Sequence, residues 1–108
     1  METTKKSPMD LLKQFAPEFA KNQMEEKALL FENDKYQAVP KKYKMLVGIG
    51  VAAALGSDTC TQMWTLMAKQ SGITNEEIIE AMQVARFMKQ ATVNDTIANS
   101  LLFLESNG

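Results

Sequence analysis

Cys60 is the only cysteine of this 108-residue chain. It sits within Gly56-Ser57-Asp58-Thr59-Cys60-Thr61-Gln62-Met63-Trp64, which reads as the end of one helix and the first turn of the next. Unpaired N–H groups at a helix start favour negative charge, so a thiol there gains thiolate character and nucleophilicity. Lys41, Lys42 and Lys44 add positive charge upstream, while Asp58 opposes it. Two readings follow for Cys60. It is either a reactive thiol or a small apolar side chain packed in a helical core. The chain contains no histidine and no second cysteine, so the common proton relay and a resolving thiol are both missing.

Other residues near this stretch carry the same double reading. Trp64 follows Cys60 by four positions and shares its helix face. An indole does no proton chemistry, but it can wall an apolar pocket beside the sulfur or fill the core. Met63 and Met45 are pocket-wall candidates on the same grounds, and Ser57 is both a helix cap and a neighbour of the thiol. Gly48-Ile49-Gly50-Val51-Ala52-Ala53 has the spacing of a dinucleotide-binding turn. That turn needs a strand before it and an acidic residue about 20 positions on. The chain offers a helical pattern there instead, so close helix packing is the better reason for the glycines.

Helices must position all of these residues. Ser7-Pro8 reads as an N-cap and first helical residue, with Leu11, Leu12 and Phe15 forming a short apolar face. Pro17 opens a second helix, expected to bury Phe19, Met24, Ala28, Leu29, Leu30 and Phe31 at least in part. Residues 32–35 are turn-like, and Val39-Pro40 is extended. Lys41 to Leu55 is apolar on all sides after Met45, as in a helix at the centre of a core or an assembly. Gly56 ends it, Ser57 or Asp58 caps the next, and that one stops at Gly72. Thr74 and Glu77 form a capping box before Ile78, Ala81, Met82, Ala85 and Met88. A last segment, 91–104, places Val93, Ile97, Leu101 and Leu104 on one face. The expectation is an all-α domain of five or six helices, with N-terminal helices over 1–37 and core helices over 38–104.

Bulk properties limit the partners. A net charge of -1 argues against a nucleic-acid footprint. The longest apolar run, 45–55, is far short of the ~20 residues needed to cross a bilayer, so no membrane span is expected. The first ten residues have no signal-peptide core, and one cysteine makes no internal disulfide, which together predict a cytoplasmic protein. Without histidine, and with scattered carboxylates, neither a metal site nor a cofactor is expected.

The stretch KKYKMLVGIGVAAALGSDTCTQMWTLMAKQSGITNEEIIEAM resembles the carboxymuconolactone decarboxylase family, and more closely its alkylhydroperoxidase AhpD-like branch. That branch has an apolar helix, a glycine-ended turn, a CxxCxxxH motif opening the next helix, and then G-[VI]-T-x-E-E-I-x-E-A. Residues 72–81 match the last element well. The resemblance implies an AhpD-like helical bundle that assembles into dimers, trimers or hexamers. It places the second motif cysteine at Cys60, the first at Ser57, the motif histidine at Trp64 and the glutamate of the apolar helix at Met45. The activity so implied is a divergent one-cysteine peroxidase, served by an external thiol, with a small molecule as substrate. A non-catalytic oligomeric scaffold or small-ligand-binding protein is the alternative. A decarboxylase-like lyase ranks last, because the tyrosine-glycine-proline signature of that branch is missing around Phe87.

Overall fold

In the computed structural model, residues 6–108 are described, and among them every regular element is helical. The helices are α1 (Pro8–Phe15), α2 (Pro17–Glu32), α3 (Lys41–Ala54), α4 (Asp58–Gln70) and α5 (Asn75–Asn107), with a single 3-10 turn at Asp34–Tyr36. The chain divides into two compact units, the first ending at Lys41 and the second spanning Lys42–Gly108.

The first unit is built on local signals. Ser7 caps α1 and forms a reciprocal pair with Asp10, each side chain accepting from the other's backbone N–H at 3.1 and 3.0 Å. Pro17 is the first residue of α2, as its fixed φ favours. After α2, the Gln37 side-chain amide donates to the carbonyls of Phe31 and Asn33, satisfying acceptors that a helix end leaves open. Ala20 and Phe31 are the buried apolar residues of α2. Phe19, Met24, Ala28, Leu29 and Leu30 are exposed instead of partly buried, because the buried side of this helix is narrow.

The second unit is three helices joined by two turns of one type. Gly56, with φ +79°, follows α3. Its N–H bonds Ala53 O, and the next N–H, of Ser57, bonds Ala52 O at 2.9 Å. Gly72, with φ +85°, repeats this after α4, where its N–H bonds Lys69 O and the Ile73 N–H bonds Ala68 O. This is the Schellman closure, which needs a left-handed residue that glycine adopts without strain. Ile73, immediately beyond, is buried, the apolar contact that accompanies such a turn. Thr74 then opens α5 with its capping box.

The core of this unit is Met45, Ile49 and Ala52 of α3, Ala68 of α4, Ile73, and Ile78 and Ala85 of α5. The all-round apolar α3 buries only one side. Val47, Val51 and Leu55 point outward, so within one chain it does not sit at the centre. The expected break between a capping-box helix and a final segment does not occur. Lys89 and Gln90 are good helix formers, no glycine or proline intervenes, and α5 runs 33 residues without interruption. Every residue from Arg86 to Gly108 is exposed, including Met88 and the face of Val93, Ile97, Leu101 and Leu104.

Glu77 ties the start of α5 to the start of α3. One carboxylate oxygen accepts from the Thr74 N–H at 2.9 Å, and the other meets Lys42 Nζ at 2.6 Å. The Lys42 ammonium, then the Thr74 N–H, hold the Glu77 carboxyl down at about 2 against an ordinary 4.5, and the carboxylate raises Lys42 in return. A carboxyl so lowered contributes stability that is present above pH 4.5 and is lost as pH falls through 2. The melting temperatures of the wild type and Glu77→Gln are therefore expected to differ at neutral pH and to converge between those two values. Thr74→Ala should cost about 1 kcal/mol in denaturant unfolding at pH 7.

Candidate functional site

The α3–α4 junction places Cys60. Ser57 closes α3 with its N–H, while its Oγ caps α4 by accepting from the Cys60 N–H at 3.3 Å. Its carbonyl also accepts from the Thr61 hydroxyl at 2.6 Å. Cys60 thus stands in the first turn of α4, at the electropositive end of the helix, and its thiol is exposed. Asp58, in the same turn, accepts from the Gln62 side-chain amide through both carboxylate oxygens at 3.2 Å.

The remaining candidates lie in different surroundings. Met45 is 2% exposed and belongs to the core. Trp64 is half-buried and lies close over Gly48, where an added Cβ would stand 3.8 Å from the indole Cδ2. Met63 is exposed. Ser57 is half-buried and engaged as a cap. Thr65, half-buried on the same helix, has a buried hydroxyl oxygen with no hydrogen-bond partner. Its position beside Trp64 was not singled out from the sequence, where a threonine in a helix gives no sign of its partners.

A larger feature lies elsewhere on the second unit. Gly50, Val51 and Ala54 of α3 and Ala81, Val84 and Met88 of α5 line an open groove of about 410 Å³ with almost purely apolar walls. None of Cys60, Ser57, Trp64, Met63 or Met45 lines it. At one end it adjoins a second hollow, with which it shares Ala54 and Ala85 and in which Arg86 and Lys89 supply charge. Lys89 Nζ donates there to Ala54 O at 3.1 Å. Periodicity placed Ala81, Ala85 and Met88 on a buried face. Ala85 is buried as expected, while Ala81 is half-buried and Met88 exposed at the wall of the hollow, because α3 and α5 leave a cleft between them that nothing else among the described residues of the second unit fills. Among the described residues no three His, Cys, Asp or Glu side chains converge as metal ligands, and no helix is long and apolar enough to cross a membrane.

The arrangement of an apolar α3, a glycine-closed turn, Cys60 in the first turn of α4 and a capping box opening α5 is matched by a family profile over residues 17–97. The chain belongs to the carboxymuconolactone decarboxylase family. The match extends back through α2, beyond the stretch that carried the sequence resemblance. The crystal structure of a protein from Methanobacterium thermoautotrophicum shares the fold, with a TM-score of 0.76 and 22% identity over 85% of this chain and 97% of that one. No functionally curated protein matches the chain.

The resemblance to the CxxCxxxH pattern puts the motif histidine at Trp64. Here an indole lies over a glycine of α3. That glycine is not sterically required, since a methyl at Gly48 makes an ordinary 3.8 Å contact. Gly48→Ala should therefore raise stability by about 0.5–1 kcal/mol through backbone entropy. Gly56→Ala forces a side chain into φ +79° and should lower it by about 1–2 kcal/mol. Urea unfolding of the two variants, expected to differ in sign, checks this.

Proposed function

We propose that this chain is a divergent homo-oligomeric member of the family in which Cys60 works as a lone surface thiol, exchanging electrons with a small peroxide and an external thiol. The observation that carries this reading is the exposed Cys60 sulfur at the capped start of α4. The thiolate attacks one peroxide oxygen and the O–O bond breaks. The departing alkoxide or hydroxide takes up a proton, and Cys60 becomes a sulfenic acid. Ser57 offers no sulfur to resolve it, so an external thiol forms the mixed disulfide with release of water, and a second thiol regenerates Cys60. With Met45 and Trp64 in the family's relay positions, proton delivery falls to solvent, and slow turnover is expected. Treatment with peroxide and a sulfenic-acid trap should give one adduct, on Cys60, that Cys60→Ser abolishes. Peroxide consumption indistinguishable from that of Cys60→Ser, with no adduct, rejects this chemistry.

A second reading rests on the burial of Met45 and the seat of Trp64 over Gly48. Both relay positions are filled by packing groups, which supports a non-catalytic oligomeric scaffold or small-ligand-binding protein of reduced cytoplasm. In that case Cys60→Ser keeps the assembly mass and the cellular role of the wild type. A loss of that role in Cys60→Ser counts against it.

A further inference from the structure

The apolar groove between α3 and α5 carries charge at one end only. The residues that line it, among them Gly50, Ala54, Ala81, Val84 and Met88, are all apolar. The adjoining hollow of about 360 Å³ has two charged residues, Arg86 and Lys89, and both are cations. Arg86 is the only arginine of the chain. Among the described residues neither cation forms an ion pair. Arg86 Nη1 donates to Gln83 Oε1 at 2.8 Å and Lys89 Nζ to Ala54 O at 3.1 Å, which holds both head groups and leaves each with further N–H donors. Beyond Lys89, α5 carries Asp95 and Glu105 but no Lys or Arg, so its positive charge stops at the hollow. Val84 and Met88 are 60% and 58% exposed, which leaves the groove open to a ligand from solvent.

We propose that groove and hollow together bind a free medium-chain carboxylic acid, its alkyl chain along the groove and its carboxylate on Arg86 and Lys89. Composition, charge and length select this occupant. Apolar walls with a few polar groups gathered at one end are how a small-molecule site both buries and orients its ligand. The walls reward removal of an alkyl chain from water. The planar guanidinium of Arg86 matches a carboxylate through two parallel N–H donors, and Lys89 adds a point charge. A helix rises about 1.5 Å per residue, so Ala81 and Lys89 stand about 12 Å apart along α5, the reach of an extended chain of roughly ten carbons. A bare inorganic anion would forgo the walls and meet only charges that salt screens. An anionic membrane is recognised by clusters of Lys and Arg, which the exposed arm of α5 beyond Lys89 lacks.

Cys60 does not line the groove or the hollow, so this site goes beyond the thiol chemistry and is tested apart from it. Calorimetric titration of the full chain with monomeric decanoate is expected to show one saturable site per chain, and to shift the methyl resonance of Met88. Decyltrimethylammonium, with the same chain and the opposite charge, should bind roughly tenfold more weakly or worse. Arg86→Gln should weaken decanoate binding roughly tenfold. Val84→Glu, which sets a carboxylate on an exposed wall, should weaken it at least as much, whereas Asp95→Asn and Cys60→Ser should leave it unchanged. Equal affinity for the two amphiphiles, or binding indifferent to both Arg86→Gln and Val84→Glu, overturns the proposal. Loss of binding in Cys60→Ser moves the ligand to another site and overturns it too. A wild type that takes up no decanoate also rejects it, and a fall in molar mass by light scattering for Val84→Glu then assigns the groove to a second copy of the chain.

Discussion

The second unit depends on what Gly56 and Ser57 do together. A helix end leaves carbonyls open and a helix start leaves N–H groups open, and the three residues between α3 and α4 must serve both. Gly56 takes the left-handed backbone that turns the chain back on α3. Ser57 then acts twice, its N–H closing Ala52 O and its Oγ receiving the Cys60 N–H. Gly72, Ile73 and Thr74 repeat the device, with the closing N–H and the capping hydroxyl on successive residues. Three helices are thereby joined with no slack, and the Lys42–Glu77 pair links the outer two near their starts.

That junction also bears on the thiol. The resemblance to the CxxCxxxH pattern puts its two cysteines at Ser57 and Cys60, here the N-cap and the third residue of α4. Serine is a strong N-cap, and the cysteine it stands in for is not among the preferred capping residues. The exchange favours the helix at the expense of a resolving sulfur. Met45, on α3, and Trp64, one turn further along α4, follow the same pattern. A buried carboxylate would need a partner or a proton, whereas a thioether at 2% exposure needs neither. By that resemblance, Ser57 caps and Met45 and Trp64 pack where the motif has reactive groups.

The sequence exposed those features of the fold that are decided within a few residues. Ser7, Pro17, Gly56, Ser57, Gly72, Thr74 and Glu77 all stand where their cap and turn chemistry placed them. What stayed hidden depends on residues far apart. The Lys42–Glu77 ion pair has no signature at a separation of 35 positions. The continuity of α5 was masked by a shift in its apolar phase between Met88 and Val93, which reads as a break although the backbone runs on. Burial was legible for Ile78 and Ala85 but not for Met88 or Phe19, since periodicity finds an apolar face without saying what covers it. For Cys60 the position was legible and the exposure was not. A small side chain one turn into a helix faces inward or outward according to the packing of its neighbours.

The two apolar sides of α3 connect these points. Met45, Ile49 and Ala52, at helical spacing, face the core of the second unit. Val47, Val51 and Leu55, displaced around the same helix, face away from it. Leaving these Val and Leu side chains in water forgoes the ~1.5–3 kcal/mol that full burial of each supplies. Nor does a net charge of -1 supply strong repulsion between copies. The second unit thus leaves an apolar outer face, a groove floored by glycine and alanine, and a helix running 22 residues past its last buried one. Cys60 is not among the residues that line the groove, so the exposed cysteine and the apolar hollow are separate features of the second unit.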